Sequence, residues 1–233
     1  MRRVLAGLLL VANGCVFAEN LDSDDFVELD EPYQYITGAY WGITVGPTFV
    51  KHKLTADNNV TKATQRTTLS KTQFDLGLMA GFGTSFRDDY YVGIEMEMVK
   101  RVGKGIHYKN EGDTFGLKFS PQFGLNMNVR FGYQFPRYGN MVYVMVGFSR
   151  TLGKVVGKDT NGSSDIHKGF GSYYPIVGVG VEHKVNHDWN VRLDVKYSIT
   201  SNDSNQKLYE KSPWVYEVKP QSVGVRLSVT RNI

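Results

Sequence analysis

The chain holds one cysteine, Cys15, among 233 residues. That excludes an internal disulfide framework and a cysteine-built metal site. It also lacks any run of 18 consecutive apolar residues, which excludes a transmembrane helix. If the chain crosses a bilayer, it must do so as a closed β-barrel, because every backbone polar group in lipid has to be paired internally. Disorder is excluded as well: 41% of residues are hydrophobic and 13% aromatic, enough for one folded domain with a sizeable core.

The first 18 residues read as a secretory signal. Arg2 and Arg3 give the positive start, Val4 to Ala12 the apolar stretch, and Val16-Phe17-Ala18 a small-residue cleavage pattern before Glu19. A lipoprotein signal acylated at Cys15 is the rival, with Asn13 and Ala12 making a poor box for it. Residues 19–37 form an acidic arm: seven acids and no base stand between Glu19 and Glu31. The remainder, 32–233, carries 25 basic against 16 acidic residues, a net +9.

From Gly38 to the end the apolar period is two, which means strands. Between Phe115 and Phe131 the odd positions are Phe115, Leu117, Phe119, Pro121, Phe123, Leu125, Met127, Val129 and Phe131, while Lys118, Arg130 and glycines fall on the even ones. A helix would spread those apolar residues around its whole circumference. Seven further segments alternate alike, centred on Trp41, Leu76, Ile94, Val144, Val179, Leu193 and Val225. Long polar connections near 52–72, 100–114, 150–172 and 200–219 alternate with short turns near 87–89, 134–140 and 186–188. The expectation is an all-β, eight-stranded antiparallel up-and-down transmembrane barrel over 38–233, with both termini at the short-turn end.

Alternation alone does not say which parity faces inward. A soluble secreted barrel carrying a small apolar ligand would alternate equally well, with the greasy set inside. Here the apolar parity is bulky and free of charge at its centres, while the other mixes glycine with full charges. That suits a narrow lumen behind a lipid-facing wall. The interior set is then Asp75, Glu95, Glu97, Glu182 and Asp194 against Lys118, Arg130, Lys184, Arg192, Lys196 and Arg226. Near-neutrality implies paired networks that plug the lumen; an ion path through a narrow pore is the alternative.

The segments Phe74-Asp-Leu-Gly-Leu-Met-Ala-Gly-Phe-Gly83, Tyr91-Val-Gly-Ile-Glu-Met-Glu97, Val177-Gly-Val-Gly-Val-Glu182 and Val223-Gly-Val-Arg-Leu-Ser228 resemble the glycine-alternating strand centres of the bacterial opacity-protein and surface-antigen class of small outer-membrane barrels. The resemblance spans 38–233. It implies a bacterial outer-membrane surface protein for adhesion, host interaction or envelope integrity, and carries no catalytic residue. Such barrels usually end in an aromatic residue, whereas this chain ends Thr230-Arg231-Asn232-Ile233.

Other constellations point to no chemistry. His183 and His187 would pair as metal ligands on a helix, but here they end a strand and enter a turn. Ser163, Ser164, Asp165 and His167 bring triad residue types into a loop without a nucleophile elbow. Gly81-x-Gly83 lacks the third glycine of a dinucleotide loop, since position 86 is Phe. No cofactor, metal or nucleic acid is expected. An outer-membrane lipid-modifying enzyme would need a His with a Ser at the rim in rigid strands, and the strand ends offer none.

The long connections are basic. The first has Lys51, Lys53, Lys62, Arg66 and Lys71 against Asp57; the second has Lys100, Arg101, Lys104 and Lys109 against Glu111 and Asp113; the third adds two more net charges. The expected partners are outer-membrane lipid and lipopolysaccharide, whose phosphates such a rim would neutralise, and anionic glycans or host surface molecules. Trp41, Phe86, Tyr90, Phe131, Tyr133, Tyr173 and Trp189 sit near strand ends, as interfacial girdles do.

Overall fold

The computed structural model describes residues 38–58, 64–87, 89–103, 106–109, 115–135, 139–159, 166–198, 205–206 and 214–233. The signal segment and the acidic arm lie outside these residues. No helix among them is long and apolar enough to cross a membrane.

Eight long strands form the wall: β1 Gly38–Asn58, β2 Thr64–Phe86, β3 Tyr90–Val102, β5 Phe115–Phe135, β6 Asn140–Asp159, β7 Ile166–Lys184, β8 Trp189–Ser198 and β10 Trp214–Asn232. Each pairs antiparallel with its neighbour in that order, and β10 returns to β1 to close the barrel. Two short strands are additions outside the eight: β4 Ile106–Lys109 pairs with β5, and β9 Asn205–Gln206 with β10. The eight-stranded, up-and-down expectation describes this wall.

The stagger follows from the register. A path straight across the strands from Tyr40 runs through Gly81, Glu95, Asn128, Gly147, Ile176, Ser198 and Ser222 and returns to β1 at Val50, ten residues further on. Ten residues of shear over eight strands tilt them by about 40° and set a radius of about 8 Å. Because the shear is even, the inward parity stays inward all the way around. At that tilt ten residues rise about 25 Å, the height of the lipid-facing band in outer-membrane barrels.

The two possible orientations are now separated. Ile43, Leu78, Ile94, Met127, Val144, Val179 and Leu227 all face outward and exposed, while Asp75, Glu95, Glu97, Arg130, Glu182, Arg192, Asp194, Lys196 and Arg226 are buried. The wall is greasy outside and ionic inside. That is the reverse of a soluble carrier.

One expectation needs correction. The polar segments read as loops are largely strand: β1 runs on to Asn58, β2 begins at Thr64, β6 reaches Asp159 and β7 begins at Ile166. β1, β2 and β5 span 21, 23 and 21 residues, about twice what a bilayer crossing needs. Above the lipid both faces of a strand meet water, so the alternation that marks a strand in sequence disappears while the backbone ladder continues. Pro121 sits at a one-residue register shift between β5 and β6, the bulge position that a residue without an N–H tolerates.

The short turns behave as expected. Gly139 takes φ 58° between β5 and β6, a conformation that costs glycine nothing. Val185 and Asn186 close the β7–β8 turn onto Trp189. The final residue, Ile233, donates its N–H to Ala39 O at 3.0 Å, so β10 stays zipped to β1 down to the chain end.

Candidate functional site

The lumen is filled from the short-turn end upward. On the inward parity small residues alternate with tyrosine, and the two fit together. A Cβ at Gly81 would lie 2.3 Å from the Tyr40 hydroxyl, and one at Gly180 would strike the Tyr143 ring at 2.5 Å. Gly83 and Gly93 both face the Tyr91 ring. The glycines therefore let three rings lie flat against the wall. Tyr40, Tyr91 and Tyr143 then line the space that Arg130 enters, its guanidinium carbon 6.0, 5.3 and 4.3 Å from their respective ring centroids. Arg192 lies 4.7 Å over Tyr40. The sequence reading missed these tyrosines as site residues, although their place among inward glycines was a usable signal.

Two decks of ions cross the lumen. In the lower, Arg130 Nη2 meets Glu182 Oε2 at 2.6 Å and its Nη1 meets Glu95 Oε2 at 3.2 Å. Arg192 bridges the same two carboxylates, at 2.5 Å to Glu95 and 3.0 Å to Glu182. Each arginine thus serves both glutamates, and the four come from β3, β5, β7 and β8. The Tyr40 hydroxyl donates to Glu95 at 3.0 Å, and Tyr143 donates to Asp194. In the upper deck Arg226 spans Glu97 and Asp75, the latter at 2.8 Å. Lys196 Nζ joins Glu97 at 2.9 Å, Asn126 donates to the same carboxylate at 2.7 Å, and Thr48 donates to Asp75 at 2.8 Å.

Of the eleven charged residues assigned to the interior, nine are buried there. Lys184 stands half-buried at the short-turn end, in the field of Asp188. The side chain of Lys118 lies outside the described residues. Arg101, read as a loop cation, instead turns inward, its Nε 3.6 Å from Asp75 Oδ1. Its inward parity on β3, in step with Glu95 and Glu97, is the reason. Among the described residues five acids then face five bases between the two decks, Arg101 included, with Lys184 half-buried below them.

The outer hairpins present the opposite picture. Lys51 and Lys53 on β1 and Arg66 on β2 are all exposed and share the outward parity. Their cross-strand partners are Ser70, Thr68 and Thr55. The β1–β2 hairpin thus carries a cationic stripe at two-residue spacing, interleaved with hydroxyls. Among the described side chains of that face there is no carboxylate. Lys71 is half-buried on the inward parity and Lys100 exposed on the outer wall. Lys62, Lys104 and the side chain of Lys109 lie outside the described residues. His52 stands on the inward side near this hairpin; burial, aided by the charge of Arg101, pushes its pKa down to about 4.

The short-turn end carries an aromatic belt: Trp41 packs edge-on to Trp189 at 6.5 Å, Phe86 stacks on Tyr90 at 5.6 Å, and Tyr90 meets Tyr133 at 5.4 Å. His183 Nδ1 lies 2.7 Å from the accepting Asn140 Oδ1, and His187 is an exposed turn residue. Among the described residues no group of three His, Cys, Asp or Glu is placed to hold a metal. Ser163, Ser164, Asp165 and the His167 side chain lie outside them. Gly81 and Gly83 are mid-strand residues under tyrosine rings, with no helix following.

The profile of the family described as outer membrane protein beta-barrel domain matches residues 106–229. Among solved structures, the attachment invasion locus protein Ail of Yersinia pestis, in complex with the heparin analogue sucrose octasulfate, aligns at 11% identity and a TM-score of 0.39, covering 84% of this chain and 99% of that one. Neisserial surface protein A aligns at 15% identity and 0.41, covering 84% and 99%. The outer membrane protein OprG of Pseudomonas aeruginosa aligns at 14% and 0.47, covering 86% and 99%. No curated protein is a significant sequence relative.

Proposed function

This chain belongs to the outer membrane protein β-barrel domain family, and on that footing we propose that it is a non-enzymatic surface protein of the bacterial outer membrane. It is exported by its signal segment, cleaved near Ala18, and acts through strand-built hairpins that reach beyond the lipid. The barrel serves as a closed anchor. Its ligands on this reading are anionic glycans, of the envelope or of a host surface.

The observation that carries the reading is the stripe of Lys51, Lys53 and Arg66 on the β1–β2 hairpin. Paired strands hold these cations about 7 Å apart along the chain direction, on a backbone ladder continuous from Gly38 to Asp57. Anionic groups repeated along a polysaccharide fit a regular row of charges, and a stiff row loses little entropy on binding. The attraction is electrostatic and exposed, so it weakens with salt.

Heparin-affinity chromatography of the folded protein tests this. The wild type is expected to be retained and to elute with salt. The variant combining Lys51→Gln, Lys53→Gln and Arg66→Gln should bind more than tenfold more weakly, at about 1 kcal/mol per charge removed. Unchanged retention of that variant would overturn the glycan reading while leaving the anchor intact.

A further inference from the structure

Two cations stand where a lipid-facing wall should have none. Lys100 lies on the outward parity of β3 between Met98 and Val102, which are 54% and 53% exposed. Arg150 lies on the outward parity of β6 between Phe148 and Leu152, which are 67% and 44% exposed. Each cation therefore has an exposed apolar side chain both below and above it on its own strand. These two lie inside the greasy stripe, unlike Lys51 and Lys53 on the hairpin beyond it.

The register puts them at one height. The straight cross-strand path from Lys100 runs through Phe123 to Leu152. The stagger of about 1.25 residues per strand, carried over two strands, brings the level point back to within a residue of Arg150. The outermost apolar residues elsewhere, Phe49, Phe74, Phe123 and Tyr173, are all outward and exposed, and by the same correction they stand at that height or just above. Lys100 and Arg150 are thus on the order of 10 Å apart, at the outer edge of the hydrocarbon, with Phe123 and Leu125 between them. Arg150 is also pre-set: its guanidinium carbon lies 5.2 Å over the Tyr173 ring. The ring covers the flat face, and the edge N–H donors remain for a planar or tetrahedral oxyanion. Among the described residues neither cation faces a carboxylate.

A paired cation site at headgroup depth, floored by Phe123 and Leu125, matches an amphiphile whose anionic groups sit at the edge of its acyl chains. We propose that Lys100 and Arg150 form a lipid clamp for the phosphorylated, multiply acylated sugar of the outer leaflet, the phosphates engaging the two cations and an acyl chain lying on Phe123 and Leu125. The clamp rests on the membrane placement of the barrel and not on the glycan reading, since it uses different residues on a different face.

Native mass spectrometry of the protein released from phosphatidylcholine nanodiscs containing bisphosphorylated lipid A tests it. The wild type should retain lipid A over phosphatidylcholine. Single Lys100→Gln and Arg150→Gln variants should each lose about 5-fold in retention and the double variant about 30-fold, one surface charge being worth about that factor. Monophosphorylated lipid A should bind the wild type more weakly than the bisphosphorylated form. Both side chains are exposed, so the variants should still fold and show heat-modifiable migration. Lys100→Arg should keep retention. Equal retention by the double variant and the wild type, or equal retention of phosphatidylcholine and lipid A by the wild type, would overturn the clamp. The hairpin variant of the heparin experiment should behave as wild type here, which keeps the two proposals separable.

Discussion

Arg130 is the most constrained residue of the lumen. It is wholly buried, carries a carboxylate on each of two nitrogens and has three tyrosine rings around it. A buried ion pair adds little net stability, because desolvation offsets attraction, but deleting one partner strands the other. Arg130→Met would leave Glu95 and Glu182 with Arg192 as their remaining arginine. The expected cost is about 3–5 kcal/mol, read as a fall in the urea midpoint of the protein refolded in lipid vesicles. Arg130→Lys, which keeps the charge but not the fork, should fall between. An unchanged midpoint for the methionine variant would mean the lower deck is ornamental to stability. The inward tyrosines show what sequence inspection overlooked: charges on the inner parity stood out, whereas Tyr40, Tyr91 and Tyr143 looked like ordinary strand formers. Their partnership with Gly81, Gly83, Gly93 and Gly180 is a cross-strand fact, and residues 41 positions apart such as Tyr40 and Gly81 carry no local mark of it.

At the scale of the strand, the lipid-crossing portions were legible because the two faces of the wall meet different solvents. Val179, in the lipid-crossing half of β7 below Tyr173, is outward and exposed between Val144 and Val195 on the neighbouring strands. Val179→Arg would put a guanidinium at mid-membrane and is expected to cost about 2–4 kcal/mol in a bilayer, measured by denaturant titration in vesicles. The same substitution in a detergent micelle, which deforms around the charge, should cost less. A neutral result in the bilayer would argue against lipid contact at this position. The outer extensions of β1, β2, β6 and β7 were not legible, since water on both faces removes the period-two signal. Lys100 and Arg101 illustrate the same limit. Adjacent in sequence, they look alike as loop cations, yet a strand that continues through them sends one to the lipid-facing wall and the other to Asp75. One residue of parity separates a lipid contact from a lumen ion pair.

For the molecule as a whole, closure decides what the interior can do. A radius of about 8 Å leaves an eight-stranded barrel just enough room for its own side chains, and here two ionic decks and the layer of Tyr40, Tyr91, Met141, Tyr143 and Met145 occupy it. The purified protein in planar bilayers is therefore expected to show no conductance, or only small, brief events. Large, stable, ion-selective steps would refute the plug.

The amino-acid sequence by itself determined the fold class, the strand count and the parity of each membrane-crossing segment, because alternation is a local property and lipid demands it along every strand. It also determined that ions gather on one parity. Only the tertiary structure decided which carboxylate meets which guanidinium, that the polar segments continue as strands, and that Lys100 and Arg150 share a height on the outer wall. Those depend on a ten-residue stagger accumulated around the closed barrel, and a stagger of that kind is a sum over all eight pairings that no single stretch of chain contains.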